Sequence, residues 1–245
     1  MGNKLPMKSK GVKVSVIMPA YNAASSIDAA IQSVLAQKGV LFELLIGDDA
    51  STDGTWMRIR TFQTDPRVRA TRFQRNQGAA LTSNRLIAQA RGEYLSSCDA
   101  DDVMLPENLL VLTRVLDKHP AVGVAYGDLF VTEPRGCSWI KRRFVPKKAW
   151  DLLGGCFANG GTLIRRSLIR KVGGYRPDLA YLEDCDLFLR LAEHTRFYHL
   201  AGKPLYCQRK SPGSLSDQPS KKLRKVSQKI LRDAIQRRYG TSVGW

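Results

Sequence analysis

The chain is short of acids relative to bases, and short of the residues that build metal cages. Across 245 residues, 22 Asp and Glu face 39 Lys and Arg, a formal net charge of +17. That balance predicts attraction to polyanions: nucleic acid, an anionic membrane surface or phosphate-bearing substrates. There are only three histidines (His119, His194 and His199) and no Cys-x-x-Cys pair, so no zinc pattern is complete. The five cysteines, Cys98, Cys137, Cys156, Cys185 and Cys207, are odd in number and widely spaced, which predicts reduced, mostly buried thiols. No stretch approaches the ~20 apolar residues of a membrane span. The basic N-terminus leads into Val12–Ala20, but Lys13 interrupts that run and Pro19 ends it, so it makes a poor signal peptide. These absences predict a cytoplasmic globular enzyme or binding protein without internal repeats.

What is present is an alternation of short apolar runs and amphipathic segments. Val14–Met18 reads as a strand stopped by Pro19, and Phe42–Ile46 as a second, closed by Gly47-Asp48-Asp49. Val68–Thr71 reads as an edge strand and Tyr94–Cys98 as a fourth. Between them, Ile27, Ile31, Val34 and Leu35 follow helical spacing after a Ser25 or Ser26 cap. Thr55–Phe62, Gly78–Ala90 (with Gly92 as its stop) and Pro106–Leu116 are further helices. This pattern predicts βαβ units and a parallel α/β sheet over residues 12–130. Beyond it, Cys137–Trp150 reads as a basic, aromatic loop and Thr162–Ile164 as a short strand. Ser167–Val172, Asp184–Glu193 and Pro219–Tyr239 read as helices. Residues 1–11 read as a basic tail, 12–216 as the main domain, which loses its regular alternation from about 131, and 217–245 as a basic amphipathic helix.

Two acid-bearing turns follow two strands that would open on the same sheet edge, where open α/β sheets bind ligands. One is Asp48-Asp49-Ala50-Ser51-Thr52-Asp53-Gly54-Thr55; the other is Asp99-Ala100-Asp101-Asp102. Three acids in four residues repel one another unless a cation or polar ligand compensates them. A hard divalent metal holding a diphosphate would do so. Turn and helix-cap chemistry explains either motif alone equally well.

Val14–Asn22, the Asp48–Thr55 turn, Asn76-Gln77-Gly78, Asp99–Asp102, Gly173-Gly174-Tyr175 and Glu183–Leu191 together resemble the family 2 glycosyltransferases, in family order and spacing over residues 12–216. The resemblance implies an α/β GT-A fold, a Rossmann-like, mostly parallel sheet flanked by helices, with a smaller acceptor-side region. It implies a nucleotide-sugar donor, most often of uridine, and a divalent metal, Mn²⁺ or Mg²⁺. Pro19, Ala20, Tyr21, Asn22, Asp49 and Asn76 would then hold the nucleoside, Asp99 the ribose and Asp101 the metal. Asp184 matches the general base of an inverting displacement on an acceptor hydroxyl, with Gly161, Thr162 and Glu183 on the acceptor side. Read without the resemblance, Glu183, Asp184 and Asp186 are acids favoured at a helix N-terminus.

Two departures from the family stand out. Ser211 occupies the position of a common His before Ser-x-Ser, so Arg209 and Lys210, or water, would complete the phosphate or metal contacts. Thr82-Ser83 stand where many relatives carry an Arg before the Asn, with Arg85 close by. The departures keep open a catalytically impaired nucleotide-sugar or glycan-binding module. A nucleotidyltransferase would show a Gly-rich basic loop after the first strand, and Pro19–Asn22 is not one. From Ala201 to Trp245 there are eleven Lys/Arg against two Asp. The last helix therefore either docks its Leu223, Val226, Ile230 and Ala234 face on the domain or lies on an anionic membrane near a lipid-linked acceptor. No base-stacking aromatic pattern accompanies the charge, which disfavours nucleic acid.

Overall fold

Strands and helices alternate from Val14 in the computed structural model, which describes residues 11–132, 138–141, 160–210 and 220–240. The proposed N-terminal tail and the Ser211–Ser216 motif lie outside the described residues. The elements are β1 (Val14–Ala20), α1 (Ile27–Leu35), β2 (Phe42–Asp48), α2 (Thr55–Thr61), β3 (Val68–Arg72), α3 (Ala79–Gln89), β4 (Tyr94–Ser97), β5 (Val103–Met104) and α4 (Asn108–Lys118). They continue with β6 (Val122–Thr132), β7 (Ser138–Lys141), β8 (Leu163–Arg165), α5 (Arg166–Val172), α6 (Glu183–Ala192), β9 (Arg196–Arg209) and α7 (Ser220–Tyr239).

All nine strands form one sheet in the order β3-β2-β1-β4-β8-β6-β9-β5, with β7 paired to β6. The N-terminal half is parallel as expected: β1 pairs with β2 from Val14↔Phe42 to Ala20↔Asp48, and with β4 from Val14↔Tyr94. β3 is the edge strand of this half. The C-terminal half joins through β8, antiparallel to both β4 and β6.

Period-2 alternation divides the core. Val14, Val16, Met18, Leu44 and Ile46 pack with Ile27, Ile31 and Val34 of α1, Ile59 of α2 and Leu109, Leu112 and Leu116 of α4. Ile17 and Leu45 point to the other face, against Leu86 and Ile87 of α3, Ile169 of α5, Leu187–Leu189 of α6 and Ile230 of α7. Each such side chain, fully buried, contributes about 1.5–3 kcal/mol of transfer free energy.

The structure corrects several details. Gly92 is not the stop of α3, which ends at Gln89 with Ala90 already extended. Instead Gly92 lies against β1, where an added Cβ would sit 2.5 Å from the Ser15 amide nitrogen. α4 starts at Asn108 rather than Pro106, because Glu107 takes φ 66°. Ser138–Lys141, inside the stretch expected to be a loop, is a strand on Leu129–Thr132; most of that stretch lies outside the described residues. The long strands β6 and β9 have no counterpart in the sequence reading. Cys98 and Cys207 are free thiols as expected, whereas Cys185 is in a disulfide.

Candidate active site

The C-terminal ends of β1 and β2 deliver two turns that brace each other. Asn22, at φ 49°, accepts from the Thr52 amide through Oδ1 at 2.9 Å, and its own amide donates to Ser51 Oγ at 3.0 Å. The Ala23 amide donates to Thr55 Oγ1 at 2.7 Å and the Ala24 amide to Asp53 at 3.1 Å. Ser51, Asp53 and Thr55 therefore act as struts between the turns, and Tyr21 remains half exposed at their lip. Asp49 is buried and accepts from the backbone amides of Gln77 (3.1 and 3.2 Å) and Gly78 (2.8 Å). It thereby brings the 76–78 loop to the β2 turn, where the Asn76 side chain accepts from Gly78 at 3.1 Å. Asp48 is wholly buried and turns away to Arg72, 3.1 Å from its Nε.

Beside this turn lies a cleft of about 440 Å³ lined by Arg72, Phe73, Gln74, Arg75, Gln77 and Arg85. Arg85 reaches it by laying its guanidinium over the Phe73 ring, 5.0 Å from the centroid, while Thr82 and Ser83 are buried.

The acid turn after β4 is held by a residue that the sequence reading missed. Tyr206 of β9 is almost fully buried; its hydroxyl accepts from the Asp99 amide at 3.0 Å and faces Cys98 Sγ at 4.0 Å. Asp102 accepts from the Arg209 amide at 2.8 Å. Gly161, at φ 67°, packs on the Tyr206 ring, where a Cβ would come within 2.7 Å, and its amide donates to Ser97 O at 3.0 Å. Thr162 beside it is buried. Asn108 then ties Gly161 O (3.0 Å) to Leu205 O (2.9 Å), closing the wall around the acids.

Asp99, Asp101 and Asp102 all titrate above the usual carboxylate range, burial being the main cause for each. Asp99 is pushed up further by Asp101 and Glu183, and Asp102 by Asp99 and Asp101. Arg209 opposes the rise at Asp101. Such incompletely compensated negative charge fits a hard cation. Among the described residues no three His, Cys, Asp or Glu side chains converge as a ligand set. The donor set therefore fits a cation shared with substrate phosphates better than an all-protein cage.

The acids of α6 complete the cluster. Leu182 enters the helix at φ 60°, an unfavourable conformation for a non-glycine residue. Glu183 and Asp184 follow, and burial raises both. Burial, then the charges of Glu183 and Asp99, push Asp184 up to about 7, although it accepts from the Cys185 amide at 2.8 Å. Asp99 feels the charge of Glu183, and Asp184 that of Asp99, so two acid motifs more than eighty residues apart lie near enough to interact. Asp186, two residues on, is different: wholly buried and paired with Arg190 at 2.7 Å.

A second missed residue is Asn84 of α3. Its Nδ2 donates to Tyr175 O at 2.7 Å, and its Oδ1 accepts from the Tyr175 amide at 2.8 Å. This two-point grip ties α3 of the N-terminal half to the stretch leading into α6.

The description "Glycosyl transferase family 2" matches residues 15–173. The putative glycosyltransferase EpsE of Bacillus subtilis is 31% identical over 190 residues, covering 76% of this chain and 68% of EpsE. The Escherichia coli UDP-Glc:alpha-D-GlcNAc-diphosphoundecaprenol beta-1,3-glucosyltransferase WfgD is 38% identical over 115 residues, 47% of this chain and 45% of WfgD. The chain spans only 26% of a longer Sinorhizobium fredii protein, y4gI, that is 31% identical over 95% of the present sequence. Among solved structures, S. aureus TarS (residues 1–349) in complex with UDP-GlcNAc superposes with a TM-score of 0.72 at 20% identity, over 94% of this chain and 74% of TarS. The Pyrobaculum calidifontis mannosyltransferase PcManGT, in complex with GDP-Man and Mn²⁺, gives 0.65 at 19% identity over 98% of this chain and 70% of PcManGT. The sheet with its acid-lined edge and the match over residues 15–173 establish that the chain belongs to glycosyl transferase family 2.

Proposed function

We propose that this chain transfers a sugar, with inversion, from a nucleoside diphosphate sugar to a hydroxyl of a glycan or lipid-linked acceptor in cell-surface polysaccharide or glycolipid synthesis. A UDP-sugar is the preferred donor. The observation that carries the reading is the nearness of the two buried acid motifs, where Glu183 raises Asp99 and Asp99 raises Asp184. One acid group supports the donor's diphosphate side, and the other supplies a buried base. The names of WfgD, with its UDP-glucose donor and diphosphoundecaprenol acceptor, and of TarS in complex with UDP-GlcNAc support the donor and acceptor classes.

In this reading the nucleoside lies on Pro19, Ala20, Tyr21 and Asn22, with the Asp49 and Asn76 turn against the base and Asp99 toward the ribose. Asp184 removes the proton from the acceptor hydroxyl as its oxygen bonds the anomeric carbon and the bond to the diphosphate breaks. One in-line displacement needs one base and inverts the anomeric centre. Gly161, Thr162 and Glu183 border the acceptor. Asp101 would hold Mn²⁺ or Mg²⁺, whose charge would favour departure of the diphosphate; the Mn²⁺ in the name of the PcManGT complex supports this. Arg209, beside Asp101, adds fixed positive charge.

The place of work we propose is the cytoplasmic face of an anionic membrane. No helix among the described residues is long and apolar enough to cross a membrane. α7 docks Ile230 and Ala234 on the core, leaving Lys222, Arg224, Lys225, Arg232 and Arg238 exposed for an electrostatic contact. The Cys185 disulfide is the feature that a reducing cytosol would oppose.

A thermal-shift screen of UDP- and GDP-sugars, with and without Mn²⁺, tests the donor and cation together. A UDP-sugar that raises Tm only with the cation, and loses that dependence in Asp101→Ala, is the expected result. Donor binding indifferent to the cation would refute the Asp101 assignment.

A further inference from the structure

The geometry points to the C-terminal helix α7 as a positioning part of the catalytic turn, acting on α6 through an Asp233–Arg176–Asp186 relay. The inference rests on the reading of Asp184 as the base. It begins with Asp186, which is wholly buried in the first turn of α6, two residues beyond Asp184. Arg190 grips it through Nε and Nη2, each at 2.7 Å from Oδ2, and spends its Nη1 on Val172 O at 2.6 Å. The other oxygen of Asp186 faces Arg176 Nη1 at 3.6 Å.

Arg176 is itself held from two directions. Asp178 takes Nε and Nη2 as a fork, at 3.1 and 2.7 Å, and Asp233 of α7 takes Nη1 at 2.5 Å. Lys229, one helical turn before Asp233, closes on Asp178 at 2.6 Å. α7 thus offers one charge of each sign, four residues apart on one face, to Asp178 and Arg176. Three cations (Arg176, Arg190 and Lys229) balance three carboxylates (Asp178, Asp186 and Asp233). Ile230, between these charges, buries against the α6 side of the core, with Val226 packed beside it, and Ala234 beyond them is also buried. Charge pairing fixes the register of α7, apolar burial fixes its depth, and both act on the helix that begins with Glu183 and Asp184.

In the chain from Tyr175 to Glu183, Tyr175 and Leu179 are buried in the core beside Ile17 and Ile87, Asn84 grips Tyr175, and the relay takes over at Arg176. Without Asp233, Arg176 can swing fully to Asp178, and Asp186 loses its second cation. The first turn of α6, entered through a left-handed Leu182, then loses a constraint where a shift of about 1 Å is enough to cost up to 100-fold in rate.

Hydrogen–deuterium exchange and kinetics on the full chain test this, with Asp233→Asn, Asp233→Glu, Arg176→Gln and the Arg176→Gln/Asp233→Asn double variant. The kinetic probe is UDP release from UDP-glucose or UDP-GlcNAc with Mn²⁺, expressed per donor-binding site counted by calorimetry. Asp233→Asn should raise amide exchange in residues 182–190 but not in 94–104. It should lower kcat about 10- to 100-fold while leaving donor KM within about twofold, since the donor turns are untouched. Asp233→Glu should restore much of the loss, and the double variant should be no worse than Arg176→Gln alone. Faster exchange confined to α7 with kcat unchanged would overturn the proposal, as would additive losses in the double variant. If Arg176→Gln does not fold, the two Asp233 variants decide. Asp184→Asn is a separate arm: unchanged turnover there would remove Asp184 as base, while the exchange data would still judge the relay.

Discussion

Asp184 is a carboxylate in surroundings that resist its charge. Burial acts first, then Glu183 and Asp99 add their repulsion, and the group rises to about 7. A base must be deprotonated to work, so kcat/KM should fall about tenfold per pH unit below that value. Glu183→Gln removes one of the raising charges and should move the acid limb to lower pH; an unmoved limb would mean that another group titrates in the profile. Tyr206 is the second decisive residue. Its phenol accepts from the Asp99 amide at the start of the acid turn, so Tyr206→Phe strands that amide. Denaturant titration should show a loss of about 1–3 kcal/mol, with weaker donor binding. The acids were legible in the sequence because three carboxylates after an apolar run are unusual whatever the fold. Tyr206 was not, since Leu205-Tyr206-Cys207 carries no charge pattern and acquires its role only when β9 returns beside β4's turn. Asn84 was equally silent, because its partner is backbone ninety-one residues away in sequence.

At the scale of elements, β1 to β4 and their helices could be read because each run is short, apolar and cleanly bounded. β9 could not be read: Gly202 and Pro204 break its 14 residues, and its exposed first half lacks alternation. The structure absorbs both breaks as a register shift opposite Gly127 and Asp128, where the Gly202 amide donates to Asp128 at 2.7 Å. β6 hides for a similar reason, with Gly123 and Gly127 inside it. The joint between halves is specific in the same way. Gly174 sits at φ 74°, and a Cβ there would meet Asn84 Oδ1 at 2.5 Å. Gly174→Ala should therefore cost about 1–2 kcal/mol for the left-handed backbone alone, and more as Asn84 releases Tyr175. Asp186→Ala, which leaves Arg190 buried without its carboxylate, should cost about 3–5 kcal/mol. A loss below 1 kcal/mol in chemical denaturation would contradict the buried-pair account.

For the whole molecule, the central fact is a basic protein that concentrates uncompensated acids at one sheet edge. Asp99, Asp101, Asp102, Glu183 and Asp184 all have raised pKa values in the folded state, so the folded chain holds protons more tightly than the unfolded chain. Stability then falls as pH rises through those values. Without cation or nucleotide, Tm should drop between pH 5 and pH 8, and Mn²⁺ with UDP should recover part of it at pH 8. A Tm that is flat or rising over this range would count against the cluster as described. The exposed bases of α7 belong to the same scale: sedimentation with anionic vesicles should weaken steeply with salt and vanish with neutral lipid. No association at low ionic strength would exclude the membrane contact.

The claim that joins the three scales is that the edge after β4 and the start of α6 form one catalytic site with Asp184 as its base. Asp184→Asn tests it most directly, with donor binding followed by calorimetry and transfer followed by UDP release. Unchanged donor affinity with turnover reduced by at least about 100-fold, in the range of general-base loss, is the predicted result. Turnover within a few-fold of the parent at every pH would contradict it.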